Sequence, residues 1–114
     1  MPEYKQVRRF PRASGEFPMF VELLSGRPYA GFSRTRTLGS GGCMFETDET
    51  LGFLSLMKMS ISVGGRIVNA DGRVAYERRT GDQRVEVGVE FLRVAPADRS
   101  HLEDVVLTRQ QQPA

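Results

Sequence analysis

Residues 84–94, RVEVGVEFLRV, decide the fold of this chain together with residues 95–106, APADRSHLEDVV. In the first stretch an apolar side chain stands at every second position, which is the period of a β-strand that buries one face. The inward side chains are expected to be Val85, Val87, Val89 and Phe91. The stretch therefore predicts a half-buried β-strand.

A change of period at Pro96 marks the start of a different element. Proline suits the first position of a helix, and Asp98 places a negative charge in the opening turn. Leu102, Val105 and Val106 then follow at helical spacing. We expect one amphipathic helix that ends near Arg109, with residues 110–114 as a frayed tail.

The period-two pattern also holds upstream, over residues 67–77. Val68, Ala70, Val74 and Tyr76 fall on one face, and Asn69, Asp71, Arg73 and Glu77 fall on the other. Asp71-Gly72 is also the sequence of a tight hairpin turn. Because the alternation keeps its phase across Gly72, one long strand with a bend or bulge at that glycine is favoured.

Three earlier runs, residues 17–24, 29–37 and 43–47, are rich in apolar and β-prone residues and are separated by turn-forming clusters. Residues 54–63 are too rich in methionine and leucine for propensity alone to choose their structure. Short strands at regular intervals and one terminal helix predict an all-β dominated fold. We expect a six-stranded antiparallel β-barrel with a C-terminal α-helix.

Length and composition restrict the class of protein. With 114 residues, 39% hydrophobic and 26% charged, the chain fits one globular domain with a modest core. It has no apolar run near the roughly 20 residues of a membrane span and no signal-peptide core, so we expect a cytoplasmic protein without membrane insertion. The single cysteine, Cys43, is expected to be a small buried hydrophobe, and Met57 and Met59 to fill the core.

The net charge of +2 is unevenly distributed. Residues 1–42 hold seven Lys or Arg and three Asp or Glu, a net +4, whereas residues 43–114 have a net charge of −2. A local field of this kind favours a small anion over a nucleic acid, which needs positive charge along a groove.

Two motifs lie in the positive part of the chain. The run Arg8-Arg9-Phe10-Pro11-Arg12 clusters three guanidinium groups, planar donors that suit phosphate and can stack on a base. Thr37-Leu38-Gly39-Ser40-Gly41-Gly42 is a glycine-dense turn whose backbone N–H groups a ligand can approach closely. Alone, the run is typical of a solvated basic terminus and the turn of a plain strand connection. Together they indicate an anionic, nucleotide-like ligand.

The motifs also suggest how the chain is divided. We expect a flexible basic segment over residues 1–14, a barrel domain over residues 15–109 and the tail over residues 110–114. The arginines have no obvious carboxylate partners nearby in the sequence, which is why the first segment is expected to be mobile without a ligand.

The sequence lacks the combinations of residues that catalytic and metal sites use. Ser40 lies in a Gly-x-Ser-x-Gly-like context, but no helix pattern follows it and a single histidine would have to act as its base. That histidine, His101, is expected at the surface or boundary of the helix. One cysteine, one histidine and no acidic pair at ligand spacing disfavour a metal site. We therefore expect that the protein is not an enzyme.

The motifs and their spacing resemble those of PilZ domains, the bacterial receptor modules for the second messenger cyclic di-GMP. The family's Arg-x-x-x-Arg start is matched by Arg8 and Arg12, with Arg9 as the common doubled arginine. Its Asp/Asn-x-Ser-x-x-Gly motif aligns with residues 37–42, which precede an apolar strand. Residues 72–74, 88–91 and 98–102 are similar to the family's late strands and terminal helix. The resemblance covers about residues 8–108.

Two residues depart from the second motif: Thr37 stands where the family has Asp or Asn, and Gly39 stands where it has Ser. In the family those side chains contact a guanine, and each lost hydrogen bond costs on the order of 1 kcal/mol. The arginines still offer charge-assisted bonds to phosphate and cation–π contact with a base. The resemblance thus implies a weakened but surviving cyclic di-GMP site, with no other cofactor and no metal. Its residues are Arg8, Arg9, Arg12, Thr37, Gly39, Ser40, Gly41 and Gly42.

Three functions from different classes remain open. The first is a receptor that binds cyclic di-GMP under a wrapping arginine segment and relays the signal to a protein partner in motility, polysaccharide-secretion or regulatory machinery. The second is an adaptor of the same fold that has lost the ligand and acts only by protein contact, which Thr37 and Gly39 favour. The third, an oligonucleotide-binding barrel, is disfavoured by a shortage of exposed aromatic residues and by the low net charge.

Overall fold

The structure, a computed structural model, describes residues 12–111, with side chains described for residues 13–109. Within that range seven β-strands precede one helix. The strands are β1 (Arg12–Ser14), β2 (Pro18–Leu23), β3 (Ala30–Gly39), β4 (Gly42–Thr47), β5 (Leu56–Val63), β6 (Arg66–Gly81) and β7 (Arg84–Val94), and the helix is α1 (Pro96–Gln111).

Six of the strands close into an antiparallel barrel in the order β3-β2-β5-β6-β7-β4, and β4 pairs back to β3. The short strand β1 lies beside this ring. It pairs with residues 37–39 at the end of β3, beyond the part of β3 that pairs with β2. The predicted six-stranded barrel with a C-terminal helix is confirmed.

Apolar residues at alternate strand positions fill the barrel interior. On β7, Val85, Val87, Val89 and Phe91 are each no more than 8% exposed, as their alternation predicts. The segment that propensity could not assign is strand β5, because it pairs with β2 on one side and with β6 on the other. Its Met57 and Met59 are buried in the same core as Cys43 of β4, which confirms the expected role of all three.

Strand β6 is bent where its pairing with β7 shifts register, first between Asp71 and Gly72 and again between Val74 and Tyr76. The first shift confirms the bend predicted at Gly72. The second overturns the prediction that Tyr76 shares the inward face with Val74. The extra residue between them changes the phase of the alternation, so that Tyr76 is 40% exposed and its ring lies over Gly88 on the outside of the barrel.

Two element boundaries lie further along the chain than expected. Strand β6 continues to Gly81 instead of ending near Glu77, and α1 continues to Gln111 instead of ending near Arg109. Residues 12–14, part of the segment expected to be flexible, form β1. The mobility of residues 1–14 and the domain boundaries drawn from the sequence stay predictions.

Helix α1 packs against one end of the barrel. Leu102 and Val106 are buried, and Val105 packs partly against the core. In its first turn the Asp98 carboxylate accepts hydrogen bonds from the Arg66 guanidinium at 2.8 and 3.1 Å. One turn later the His101 Nε2 lies 2.6 Å from the Val63 carbonyl oxygen, which places His101 at the boundary of the helix as expected. These contacts fix the helix over the β5–β6 turn. None of the helices in the described part of the chain is long and apolar enough to cross a membrane.

Candidate functional site

The glycine turn, residues 39–42, is the tip of the β3–β4 hairpin, and its first and last residues pair with each other. Two of its carbonyl groups are used by the fold. The Ser40 carbonyl accepts a hydrogen bond from Arg99 Nη1 of α1 at 2.7 Å, and the Gly41 carbonyl accepts one from the Phe91 N–H of β7 at 2.9 Å. The turn is therefore held in place from the helix and from β7.

Gly42 has a packing reason to be glycine. It pairs with Glu90 of β7, and a Cβ added at Gly42 would overlap the backbone carbonyl oxygen of Val89. Strands β4 and β7 can approach this closely only because no side chain intervenes. For Gly39 the question is its backbone conformation. It lies in strand β3 and is not among the described glycines with positive φ. Its backbone conformation therefore does not require glycine.

Thr37 lies on β3 between Ser14 of β1 and Met44 of β4. Its Oγ1 is buried, and no hydrogen-bond partner for it exists among the described residues. An unsatisfied buried hydroxyl typically costs about 1–3 kcal/mol. The position that aligns with the family's Asp or Asn thus holds a polar group that the described part of the fold leaves unpaired.

The structure brings the last arginine of the basic run to the glycine turn. Arg12 stands opposite Gly39 in the β1–β3 pairing. Arg8 and Arg9 lie outside the described residues, so their positions stay predictions.

One row of paired residues crosses β1 and four strands of the barrel. Starting from β1 it consists of Arg12, Gly39, Gly42, Glu90 and Arg73. Neighbouring strands lie about 4.8 Å apart, so the row spans on the order of 20 Å along the sheet. At its far end Arg73 Nη2 donates to Glu90 Oε1 at 2.9 Å, and both side chains are partly exposed on the outer face. We call these five residues the register row.

Arg73 and Glu90 were not among the predicted site residues. The available signal was their position on the polar faces of two alternating strands. That signal was insufficient, because the sequence does not fix the register that places Glu90 beside Gly42 and Arg73 beside Glu90.

A second charged cluster lies on β3, β4 and β7. Glu46 Oε1 accepts hydrogen bonds from Arg84 Nη1 at 2.6 Å and from Arg36 Nη2 at 3.3 Å. With Arg34 and the 86% exposed Phe32, these residues line an open cavity of about 680 Å³. None of these residues was predicted from the sequence as a site residue. Over residues 12–111 no group of three or more His, Cys, Asp or Glu is placed to hold a metal ion.

Comparison with known protein families gives one match: the PilZ domain family model matches residues 6–108. A comparison with curated proteins returns no match. The matched range includes the arginine run, the glycine turn, all seven strands and most of the helix.

Several solved structures share this fold. The inhibitor of motility MotI/DgrA of Bacillus subtilis has a TM-score of 0.78 and 15% identity, over 96% of this chain and 56% of its own. The PilZ domain of YcgR from Escherichia coli, solved with c-di-GMP, has a TM-score of 0.70 and 18% identity, over 93% of both chains. MrkH, described as a c-di-GMP-dependent transcription regulatory factor, has a TM-score of 0.68 and 14% identity, over 95% of this chain and 53% of its own. The chain thus spans about half the length of the MotI/DgrA and MrkH chains.

Proposed function

The chain belongs to the PilZ domain family, and on that premise we propose that it binds cyclic di-GMP and relays the signal to a protein partner. Proteins of this fold bind c-di-GMP and act as adaptors or regulators, not as enzymes. The proposal places the protein in the cytoplasm. Its partner would belong to motility, polysaccharide or regulatory machinery.

The pairing of Arg12 with Gly39 is the observation that carries the proposal. It brings Arg12, the last residue of the basic run, beside Gly39 of the glycine turn, 27 residues later in the sequence. The proposal puts the guanidinium groups of the basic run beside the glycine turn, in which Gly41 is partly exposed while Gly39 and Gly42 are buried. A cyclic dinucleotide matches this arrangement, because its phosphates take charge-assisted hydrogen bonds and its flat bases can lie against backbone.

Ordering of the N-terminal segment would provide the signal. Fixing a residue's backbone costs about 1–2 kcal/mol, so a segment without partners is ordered only when a ligand contributes contacts. Ligand phosphates supply such contacts to Arg8 and Arg9. The ordered segment, anchored at β1, would then form a surface that a partner recognises in the bound state only.

Thr37 and Gly39 support a second candidate, an adaptor that no longer binds the nucleotide. Thr37 offers a hydroxyl in place of the family's Asp carboxylate or Asn amide, and Gly39 offers no side chain in place of the family's Ser. The Thr37 Oγ1 is moreover buried, so that it is not exposed to a ligand. Both candidates share the fold, so only a binding measurement separates them.

Isothermal titration of the protein with cyclic di-GMP tests the proposal. We expect binding that Arg8→Ala and Arg12→Ala each weaken at least tenfold, about 1.4 kcal/mol. Arg79→Ala is the matched control, because Arg79 is exposed and lies at the far end of the β6–β7 hairpin. Thr37→Asp should tighten binding by a few-fold to tenfold, because it restores a carboxylate where a guanine is expected. If wild type and Thr37→Asp both give no heat at high micromolar ligand, the adaptor function replaces the receptor function.

Two further measurements complete the test. Amide hydrogen exchange should be fast before residue 12 in the free protein and should slow when cyclic di-GMP is added. Strong protection of that segment without ligand would contradict a ligand-ordered segment. A short single-stranded oligonucleotide, titrated in parallel, should give no binding, and binding at physiological salt would favour an oligonucleotide-binding barrel instead.

A further inference from the structure

We propose that the charged cavity on the barrel wall is a docking surface for a protein partner that presents an acidic segment with an apolar side chain. This is the cavity of about 680 Å³ whose lining includes Phe32, Arg34, Arg36, Glu46 and Arg84, and we call it the arginine cavity. The inference rests on the proposed function, because it names the chemistry of the partner to which the signal would pass. It applies to the receptor and to the adaptor alike.

The guanidinium groups of the arginine cavity have most of their donors unused by the fold. An arginine side chain offers five N–H donors. Arg36 and Arg84 each donate one hydrogen bond, in both cases to Glu46 Oε1, and Arg34 has no hydrogen bond or ion pair to any residue that the structure describes. Since these side chains are exposed and line an open cavity, their remaining donors are available to carboxylates from outside.

Phe32 gives the arginine cavity an apolar anchor that the fold does not bury. It is 86% exposed, and its ring meets the edge of Phe20 with 4.9 Å between the ring centroids. The two residues are opposite each other in the β2–β3 pairing. Because this contact already holds the ring on the outside of the barrel, little side-chain freedom is lost when a partner packs on it. Aromatic residues and arginine are enriched in the central parts of protein interfaces.

The arginine cavity is continuous with the strand that carries the proposed ligand site. Arg34 and Gly39 are five residues apart on β3, which is about 17 Å along a strand. In the connection from β1 to β2, the Gly15 N–H donates to the Arg36 carbonyl at 3.0 Å, and the next residue, Glu16, lines the cavity. A partner that docks there therefore lies beside β1, where the segment that the ligand would order is anchored.

The charges of the cavity suit an acidic peptide better than a nucleic acid. Three arginines and two glutamates, Glu16 and Glu46, line it, so its net charge is positive but both signs are present. A nucleic acid carries a phosphate on every nucleotide and would force some of them against the glutamates. A peptide can set single carboxylates against the arginines and an apolar side chain against Phe32. The mixed lining therefore favours a protein segment with dispersed negative charge.

Fluorescence anisotropy at physiological salt tests the docking surface, with the labelled hexapeptide Glu-Glu-Leu-Phe-Glu-Glu as the probe. Two control peptides change one property each: Lys-Lys-Leu-Phe-Lys-Lys reverses the charge, and Glu-Glu-Gly-Ser-Glu-Glu removes the apolar side chains. We expect the probe to bind at least fivefold more tightly than either control peptide. Its affinity should also fall as salt is raised, because salt screens exposed charges.

Variants of the protein locate the binding. Arg34→Glu and Phe32→Ser should each weaken the probe at least fivefold, and Glu16→Gln should tighten it about twofold because it removes a negative charge from the lining. Arg93→Glu is the matched control for charge, since Arg93 is an exposed arginine near the end of β7. Ile67→Ser is the control for apolar surface, since Ile67 is 57% exposed on β6. Both controls should bind the probe within twofold of wild type, and circular dichroism melts check that every variant is folded.

Each other outcome decides against a stated part of the inference. If the probe binds no more tightly than the control peptides, or if Arg93→Glu weakens it as much as Arg34→Glu does, the docking surface is overturned. If a short single-stranded oligonucleotide displaces the probe at lower concentration than unlabelled peptide does, the occupant is a nucleic acid and the acidic partner is wrong.

A parallel titration with cyclic di-GMP separates this inference from the proposed function. Binding of cyclic di-GMP without binding of the probe overturns the docking surface and leaves the receptor function in place. Binding of the probe without cyclic di-GMP overturns the receptor function and supports the docking surface on an adaptor. If neither binds, both are overturned.

Discussion

Gly42 is the final glycine of the family's second motif, and the structure indicates that close packing between β4 and β7 requires glycine there. Substitution of Gly42 tests that explanation directly. Replacing it with alanine places a Cβ against the backbone carbonyl oxygen of Val89. Because that atom belongs to the backbone of β7, no side chain can rotate to make room. Strands β4 and β7 must separate at this point, and the register row is broken between Gly42 and Glu90.

The expected cost is large for a single methyl group. Forced insertion into a packed site typically costs about 1–3 kcal/mol, and the upper end applies here because the obstacle is backbone. We expect a loss of about 3 kcal/mol of unfolding free energy. For a domain of about this size, each kcal/mol lowers the Tm by roughly 4 °C, so the Tm should fall by about 12 °C. The effect should be present without any ligand.

Urea unfolding followed by far-ultraviolet circular dichroism measures this cost, since the chain has no tryptophan for fluorescence. Gly81→Ala is the control, because a Cβ there would meet only the Arg84 Cβ at an ordinary 4.0 Å. Gly81→Ala should change stability by less than about 0.5 kcal/mol. If Gly42→Ala is as stable as Gly81→Ala, the packing explanation is refuted. Retained stability with lost cyclic di-GMP binding would instead assign Gly42 to the ligand.

Three further predictions concern the core, the arginine segment and pH. Phe91→Ala should lower the unfolding free energy by about 3 kcal/mol or more, because Phe91 is buried in the barrel, whereas Leu92→Ala on the outer face should cost under about 1 kcal/mol; equal losses would contradict the assigned faces. Arg12→Lys should recover only part of the binding that Arg12→Ala loses, since lysine keeps the charge without the planar fork, and full recovery in titration calorimetry would show that charge alone suffices. The pKa of Tyr29 is raised, first by burial and then by the carboxylates of residues 48–49. A raised folded-state pKa gives stability that is present below the unfolded value near 10 and lost as pH rises through the folded value. Wild type should therefore lose more stability than Tyr29→Phe between about pH 8 and about pH 11 in urea melts, and parallel losses would be evidence against this coupling.

The sequence determined the elements whose side-chain period is unbroken. On β7 the alternation from Val85 to Phe91 identified both the strand and its buried face, because apolar residues at every second position of a strand all lie on one face. The change of period at Pro96 likewise identified α1 and its buried Leu102 and Val106. The resemblance of the two motifs and of the late-strand residues also pointed to the correct family, since each of those signals lies in contiguous residues.

Tertiary pairing decided what a local pattern could not. Tyr76 was assigned to the wrong face because a bulge inserts one residue into β6, and a bulge is a property of two paired strands rather than of either sequence. Met57 and Met59 suit a helix as well as a strand, and only pairing with β2 and β6 made their segment β5.

The candidate site also has one part that the sequence predicts and another part that only the pairing of strands reveals. The arginine run and the glycine turn could be found from sequence, because each is a local cluster of residue types with a known chemical use. The register row could not, because Glu90 and Gly42, far apart along the chain, become neighbours only when β4 and β7 pair. Register is set by the whole closed barrel, in which shifting one strand by a residue would expose every buried side chain on it. For that reason the sequence alone determined which groups are available for a ligand, and the tertiary structure alone decided which of them stand together.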